Sequence, residues 1–157
     1  MSATATEADR LASATAGKLT IWAGRLLIAI GVLHIVAFVL FTHDSWSGWA
    51  TGELHSGDPD KDFDLAVSTW RFWALPGGFA VPLIVLGALM VRTVRNGRIA
   101  PAYAGWSLGA WVLLNSYLLF PSGFLLGFIP VGLLIAADRI NRKAALGNRT
   151  PTVSETA

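Results

Sequence analysis

The sequence predicts an all-α integral membrane protein, a four-helix bundle with a long extracytoplasmic loop between helices 1 and 2. Three observations predict it. Hydrophobic residues make up 54% of the 157, with a mean hydropathy of +0.54, beyond what a soluble domain carries. They gather in four blocks, 19–41, 66–91, 100–120 and 123–137, each about long enough to cross a hydrocarbon core of ~30 Å, the last only marginally. Basic residues collect at one set of block ends and acidic residues at the other.

Residues 1–18 form a polar N-terminal segment in which Glu7 and Asp9 stand beside Arg10, a poor start for a secretory signal. No small-residue cleavage pattern follows the first apolar block, so that block is expected to stay as a span. Arg10, Lys18 and Arg25 precede or open it, Arg92, Arg95 and Arg98 separate spans two and three, and Arg139, Arg142, Lys143 and Arg149 follow span four. Cytoplasmic flanks accumulate Lys and Arg, so both termini are expected in the cytoplasm of a plasma membrane. The loop 42–65 holds Asp44, Glu53, Asp58, Asp60, Asp62 and Asp64 against Lys61 alone and is expected outside. The net charge of +2 and pI of 9.4 then reflect cytoplasmic flanks rather than a nucleic-acid surface. The polar residues 142–157 read as a disordered cytoplasmic tail.

Within the outer loop, Trp46, Trp49, Ala50 and Leu54 are spaced for a short amphipathic helix on the membrane surface, with Trp46 and Trp49 as interface anchors. The alternating Asp58, Asp60, Asp62 and Asp64 resemble the start of a calcium loop. Phe63 stands where such a loop needs Gly and Thr69 where it needs Glu, so a solvated acidic face and no metal site is the expectation. Asp58 before Pro59 predicts a helix N-cap.

The stretch STWRFWALPGGF, 68–79, places Arg71 between Trp70 and Trp73 and then breaks at Pro76. Two readings of Arg71 stand open. It reaches the headgroups while the tryptophans anchor at the interface, or it turns inward to hold the anionic group of a lipophilic ligand.

Two segment pairs align internally, 75–89 on 120–134 and 22–34 on 103–115, pairing Pro76 with Pro121, Gly78 with Gly123, Phe79 with Phe124 and Gly24 with Gly105. A duplication would give two parallel helical hairpins; shared membrane composition is the alternative. Gly24, Gly31, Gly105, Gly109, Gly123 and Gly127 are candidate helix-packing positions, serving the bundle or a homo-oligomer. Pro82 and Pro130 are expected to break spans two and four.

His34 lies about 8–10 Å below the outer end of span one and aligns with Asn115. A titratable group at that depth is a functional-site hypothesis. The pair either hydrogen-bonds across helices, or His34 ligates haem b or relays a proton. Haem with two axial ligands needs a second one, and His43 and His55 lie in the outer loop. The absence of cysteine excludes disulfides, thiolate metal sites and covalent haem. No nucleophile elbow, phosphate loop or zinc-helix motif is present, so no catalytic residue is assigned. Asp138 is expected to pair with Arg139.

At GRLLIAIGVLH, 24–34, and FPSGFLLGF, 120–128, the chain resembles a group of small bacterial four-span membrane proteins of unknown activity. A Gly-Arg pair opens helix one there, a histidine follows, and a Pro-Ser-Gly-Phe turn opens helix four. Gly24, Arg25, Gly31, His34, Pro121, Ser122, Gly123 and Phe124 carry the likeness, which implies a four-helix bundle in a bacterial inner membrane and brings no activity. The expected function is a non-enzymatic module whose outer half, with His34, Asn115, Arg71, Trp70 and Trp73, binds a lipid, a quinone or a membrane partner. A redox protein or enzyme using His34 and a purely structural subunit are the alternatives.

Overall fold

Ala3–Thr42 contains no proline and forms one uninterrupted helix of 40 residues, α1. The polar N-terminal segment is therefore the first turns of that helix rather than a separate element. The structure, a computed structural model, describes residues 3–75, 77–119 and 123–147; Pro76, Pro121 and Ser122 lie outside the described residues. Among the described residues the chain is all-helical, with no strand.

After a short 3₁₀ turn at His43–Ser45, the loop 42–65 holds two short helices, α2 (Trp46–Ala50) and α3 (Glu53–Ser56), instead of one helix over 46–54. Gly52 divides them by taking a left-handed φ of 83°, a conformation that costs glycine least.

The next helix, α4, runs Phe63–Ala74 and is capped by Asp62, not Asp58. The Asp62 carboxylate accepts from the N–H groups of Asp64 and Leu65. Asp58 instead closes the preceding turn: its carbonyl accepts from Lys61 and Asp62, and its carboxylate accepts from the Asp60 N–H and pairs with Lys61 at 2.9 Å. The Lys61 ammonium, and then the Asp60 N–H, hold the Asp58 carboxyl below its ordinary pKa.

Apolar block 66–91 is two helices, because α4 ends at Ala74 and α5 spans Ala80–Arg95. Pro82 is the third residue of α5, and Pro130 the third of α7 (Phe128–Gly147). Neither breaks a helix, since first-turn N–H groups have no intrahelical acceptor to lose. A 3₁₀ segment, Gly123–Gly127, leads into α7, and α6 occupies Ala102–Leu118. Residues 142–147, placed by sequence in a disordered tail, continue α7. Asp138 pairs with Arg142 at 2.9 Å rather than with Arg139, because residues four apart share a helix face and adjacent ones do not.

Gly97 ends α5. Its φ is 71°, its N–H donates to the Val94 carbonyl, and the Arg98 N–H donates to Thr93, the paired bonds of a Schellman turn.

Two compact units emerge, one of Met1–Leu26 with Gly87–Ala157 and one of Leu27–Leu86. The first buries Ala16, Ala23, Met90, Leu108, Val112, Val131, Leu134 and Ala137; the second buries Leu27, Leu65, Leu75, Ala80 and Leu83. Among the described residues, two helical stretches are long and apolar enough to cross a membrane, Glu7–Ala50 and Gly123–Leu146. Helices α5 and α6, with 16 and 17 residues, extend about 24–26 Å at 1.5 Å per residue.

Of the six candidate packing glycines, five meet a neighbour. A Cβ on Gly24 would lie 2.7 Å from the Gly87 carbonyl and 3.4 Å from Met90; one on Gly105 would lie 3.3 Å from Ile135. In the internal alignment Gly24 matches Gly105, and both are points of close approach, though their nearest neighbours, Gly87 and Leu134, are not aligned partners. Gly31 meets Ile84 and the Ala80 carbonyl, Gly109 meets Val131, and Gly127 meets Val112. A Cβ on Gly123 would meet nothing within 4 Å in the chain.

Candidate functional site

The second unit carries most of the residues singled out by sequence. Its organising feature is the C-terminus of α4, where the last carbonyls have no partner within the helix. The turn after Ala74 satisfies some of them: Leu75 donates to Arg71 and Phe72, and Gly77 also donates to Phe72. Ala74 is served from 40 residues away, by the His34 Nε2–H at 2.7 Å. In that bond Nε2–H is the donor, since a carbonyl only accepts. Phe38 stacks on the imidazole at 4.5 Å, and Phe79 tilts against it at 4.6 Å.

The segment between α1 and α4 is tied to α4 by two side-chain bonds of opposite direction. Arg71 Nη1 donates to the buried Ser45 hydroxyl at 3.1 Å, and the Trp49 indole N–H donates to the buried Ser68 hydroxyl at 3.1 Å. Trp49 also meets the Phe72 ring edge-on at 5.7 Å. Trp46 donates its indole N–H to Thr42. Each indole thus keeps its polar atom partnered while its body covers apolar surface.

Arg71 and the flanking tryptophans do not converge. Trp70 and Trp73 are 65% and 63% exposed, and with Phe63 they form an outward aromatic stripe on α4, whereas Arg71 reaches back to the loop. Among the described residues no carboxylate lies within ion-pair distance of Arg71. Of its five N–H donors one is used on Ser45, which leaves four for other acceptors. Asn115, in the other unit, donates to the Trp111 carbonyl of its own helix at 2.8 Å, so both members of the expected His34–Asn115 pair have backbone partners.

Ser45, Ser68, Phe38, Phe72 and the Ala74 carbonyl escaped sequence reasoning. The one available signal was the proline at 76, which brings no N–H to the end of α4.

No curated protein and no solved structure matches the chain. A family model matches residues 18–141, from within α1 to within α7, and on that match the chain belongs to DUF6463, a family of unknown function.

Proposed function

We propose that the chain is a non-enzymatic module of a bacterial plasma membrane, crossing it four times as two tandem hairpins with both termini in the cytoplasm. Its outer end binds the anionic group of a lipophilic ligand through Arg71. Lipid-facing helices are supported by how little of the apolar surface is covered. Only 17% and 22% of the most apolar windows in the two long stretches are buried within the protein, where a soluble core helix would be mostly buried. The aligned glycines Gly24 and Gly105 each sit at a close approach to a neighbouring segment, which supports the duplication. Helices α5 and α6 fall short of ~30 Å and fit by local thinning of the bilayer.

The ligand reading rests on a single observation. Arg71 is half-buried, bonded to one neutral hydroxyl and free of any carboxylate among the described residues. A guanidinium in that state has unused, forked donors suited to phosphate or carboxylate. Trp70 and Trp73 then hold the helix at the headgroup level. His34 is accounted for by the carbonyl it satisfies, so this reading needs no haem.

The experiment is native mass spectrometry of the detergent-purified protein, reporting co-purified anionic amphiphile. Arg71→Lys is expected to lose at least fivefold in retention with little change in melting temperature, since lysine supplies no second fork for the ligand. Equal retention in the two proteins would remove Arg71 from the site.

Topology is tested by single cysteines. Gly57→Cys should react with an impermeant maleimide in intact cells, and Gly97→Cys only after permeabilisation. Labelling of Gly97→Cys in intact cells would invert the orientation.

A further inference from the structure

The first unit contains a second polar feature, independent of Arg71. Helix periodicity puts Arg10, Lys18 and Ile21 on one face of α1, and the Schellman turn at Gly97 carries Arg98 round the end of α5. With Val94 of α5 and Asn141 of α7, these residues line a cleft of about 440 Å³. That volume lies within the range of small-molecule sites, about 300–1,000 Å³. The described lining includes no carboxylate, and none of the three cations is in an ion pair with a described residue.

Three unpaired cations around one concavity repel one another. The concavity gains most from an anion carrying more than one acceptor oxygen, and Arg10 and Arg98 present planar forks that fit such a group. Isolated surface cations would spread into solvent; here the backbone turn at Gly97 and the rigid α1 hold them at one opening. Ile21 and Val94 add an apolar wall, which suits a group attached to hydrocarbon.

We propose that this cleft binds a phosphate group, carried either by an anionic lipid headgroup or by a soluble phosphate ester. A basic pocket among helix ends is an established way for membrane proteins to hold such headgroups, and Asn141 adds a neutral donor beside the charges.

The test compares the full chain with the Arg10→Gln/Lys18→Gln/Arg98→Gln variant, and with Arg92→Gln/Arg95→Gln as a control that removes cations outside the cleft lining. For the lipid source, each protein is placed in nanodiscs of phosphatidylcholine with phosphatidylglycerol, and bound phosphatidylglycerol is counted by native mass spectrometry after release. For the soluble source, equilibrium binding of radiolabelled glycerol 3-phosphate to the detergent-purified protein is measured.

The triple variant is expected to lose at least tenfold in one arm, with the control variant within twofold of wild type. Loss in the lipid arm alone assigns the site to a headgroup, and loss in the soluble arm assigns it to a free ester. Equal loss in triple and control variants would show general charge attraction and overturn the cleft. So would no difference between the triple variant and wild type in either arm. All three lining cations are exposed, so unchanged melting temperatures are expected and separate lost binding from lost folding.

Discussion

Replacing Gly31 by alanine is expected to destabilise the protein by about 1–3 kcal/mol, and by leucine more, although alanine is the better helix former. The reason is what a side chain would meet. A Cβ at Gly31 would lie 2.6 Å from Ile84 Cγ1 and 2.8 Å from the Ala80 carbonyl oxygen. The Ile84 side chain can change rotamer; a carbonyl held in α5 cannot move without shifting the backbone. Gly31→Ala/Ile84→Ala should therefore recover only part of the loss. Gly132 supplies the opposite case, because nothing lies within 4 Å of the Cβ it lacks. There Gly→Ala should stabilise by up to ~1 kcal/mol through helix propensity alone. Thermal unfolding in detergent, followed by circular dichroism, reads all four variants. A melting temperature for Gly31→Ala at or above wild type would rule out the close approach of α1 to α5 at this point.

Loss of the His34 side chain is the second large effect. His34→Ala strands the Ala74 carbonyl, at about 1–3 kcal/mol, and removes two ring contacts worth roughly 0.5–1.5 kcal/mol each. Because His34 is only half-buried, the lower part of that span applies, and a total of about 2–3 kcal/mol is expected. Two further variants separate the contributions. His34→Gln keeps an N–H donor of similar reach without the ring, and His34→Phe keeps the ring without the donor. Each should fall between wild type and alanine in denaturant unfolding. A fully stable His34→Phe would show that the hydrogen bond contributes nothing, and a Soret band in purified wild type, lost in His34→Ala, would make the histidine a haem ligand instead.

Much of the fold was legible because it depends on near neighbours in the chain. The break after Ala74 follows from the Pro-Gly-Gly run, whose geometry does not continue a helix. Gly24 and Gly31 were readable as close-packing positions by their spacing on one helix face. Other local readings went to the wrong residue. The capping aspartate is Asp62 because Asp58 is used by its own turn, and four aspartates at alternate positions offered no local means of choosing. The single surface helix expected over 46–54 divides because Gly52 adopts a positive φ, which a hydrophobic spacing pattern does not encode. Pro82 and Pro130 were misjudged because their effect depends on where each helix begins.

By itself the sequence determined an all-helical chain with its principal break, its apolar blocks, its charge asymmetry and its likeness to a family of unknown function, all properties of composition and short-range order. Only the tertiary structure decided which groups the polar residues meet. Arg71 donates to the Ser45 hydroxyl, 26 residues away. His34 meets the Ala74 carbonyl at the end of α4, 40 residues away. Arg10, Lys18 and Arg98 read as a cytoplasmic flank until α1 and the turn after α5 closed them around one cleft. A buried donor bonds whichever acceptor the packing delivers, and that acceptor lies tens of residues away, beyond the range of any periodicity in the chain.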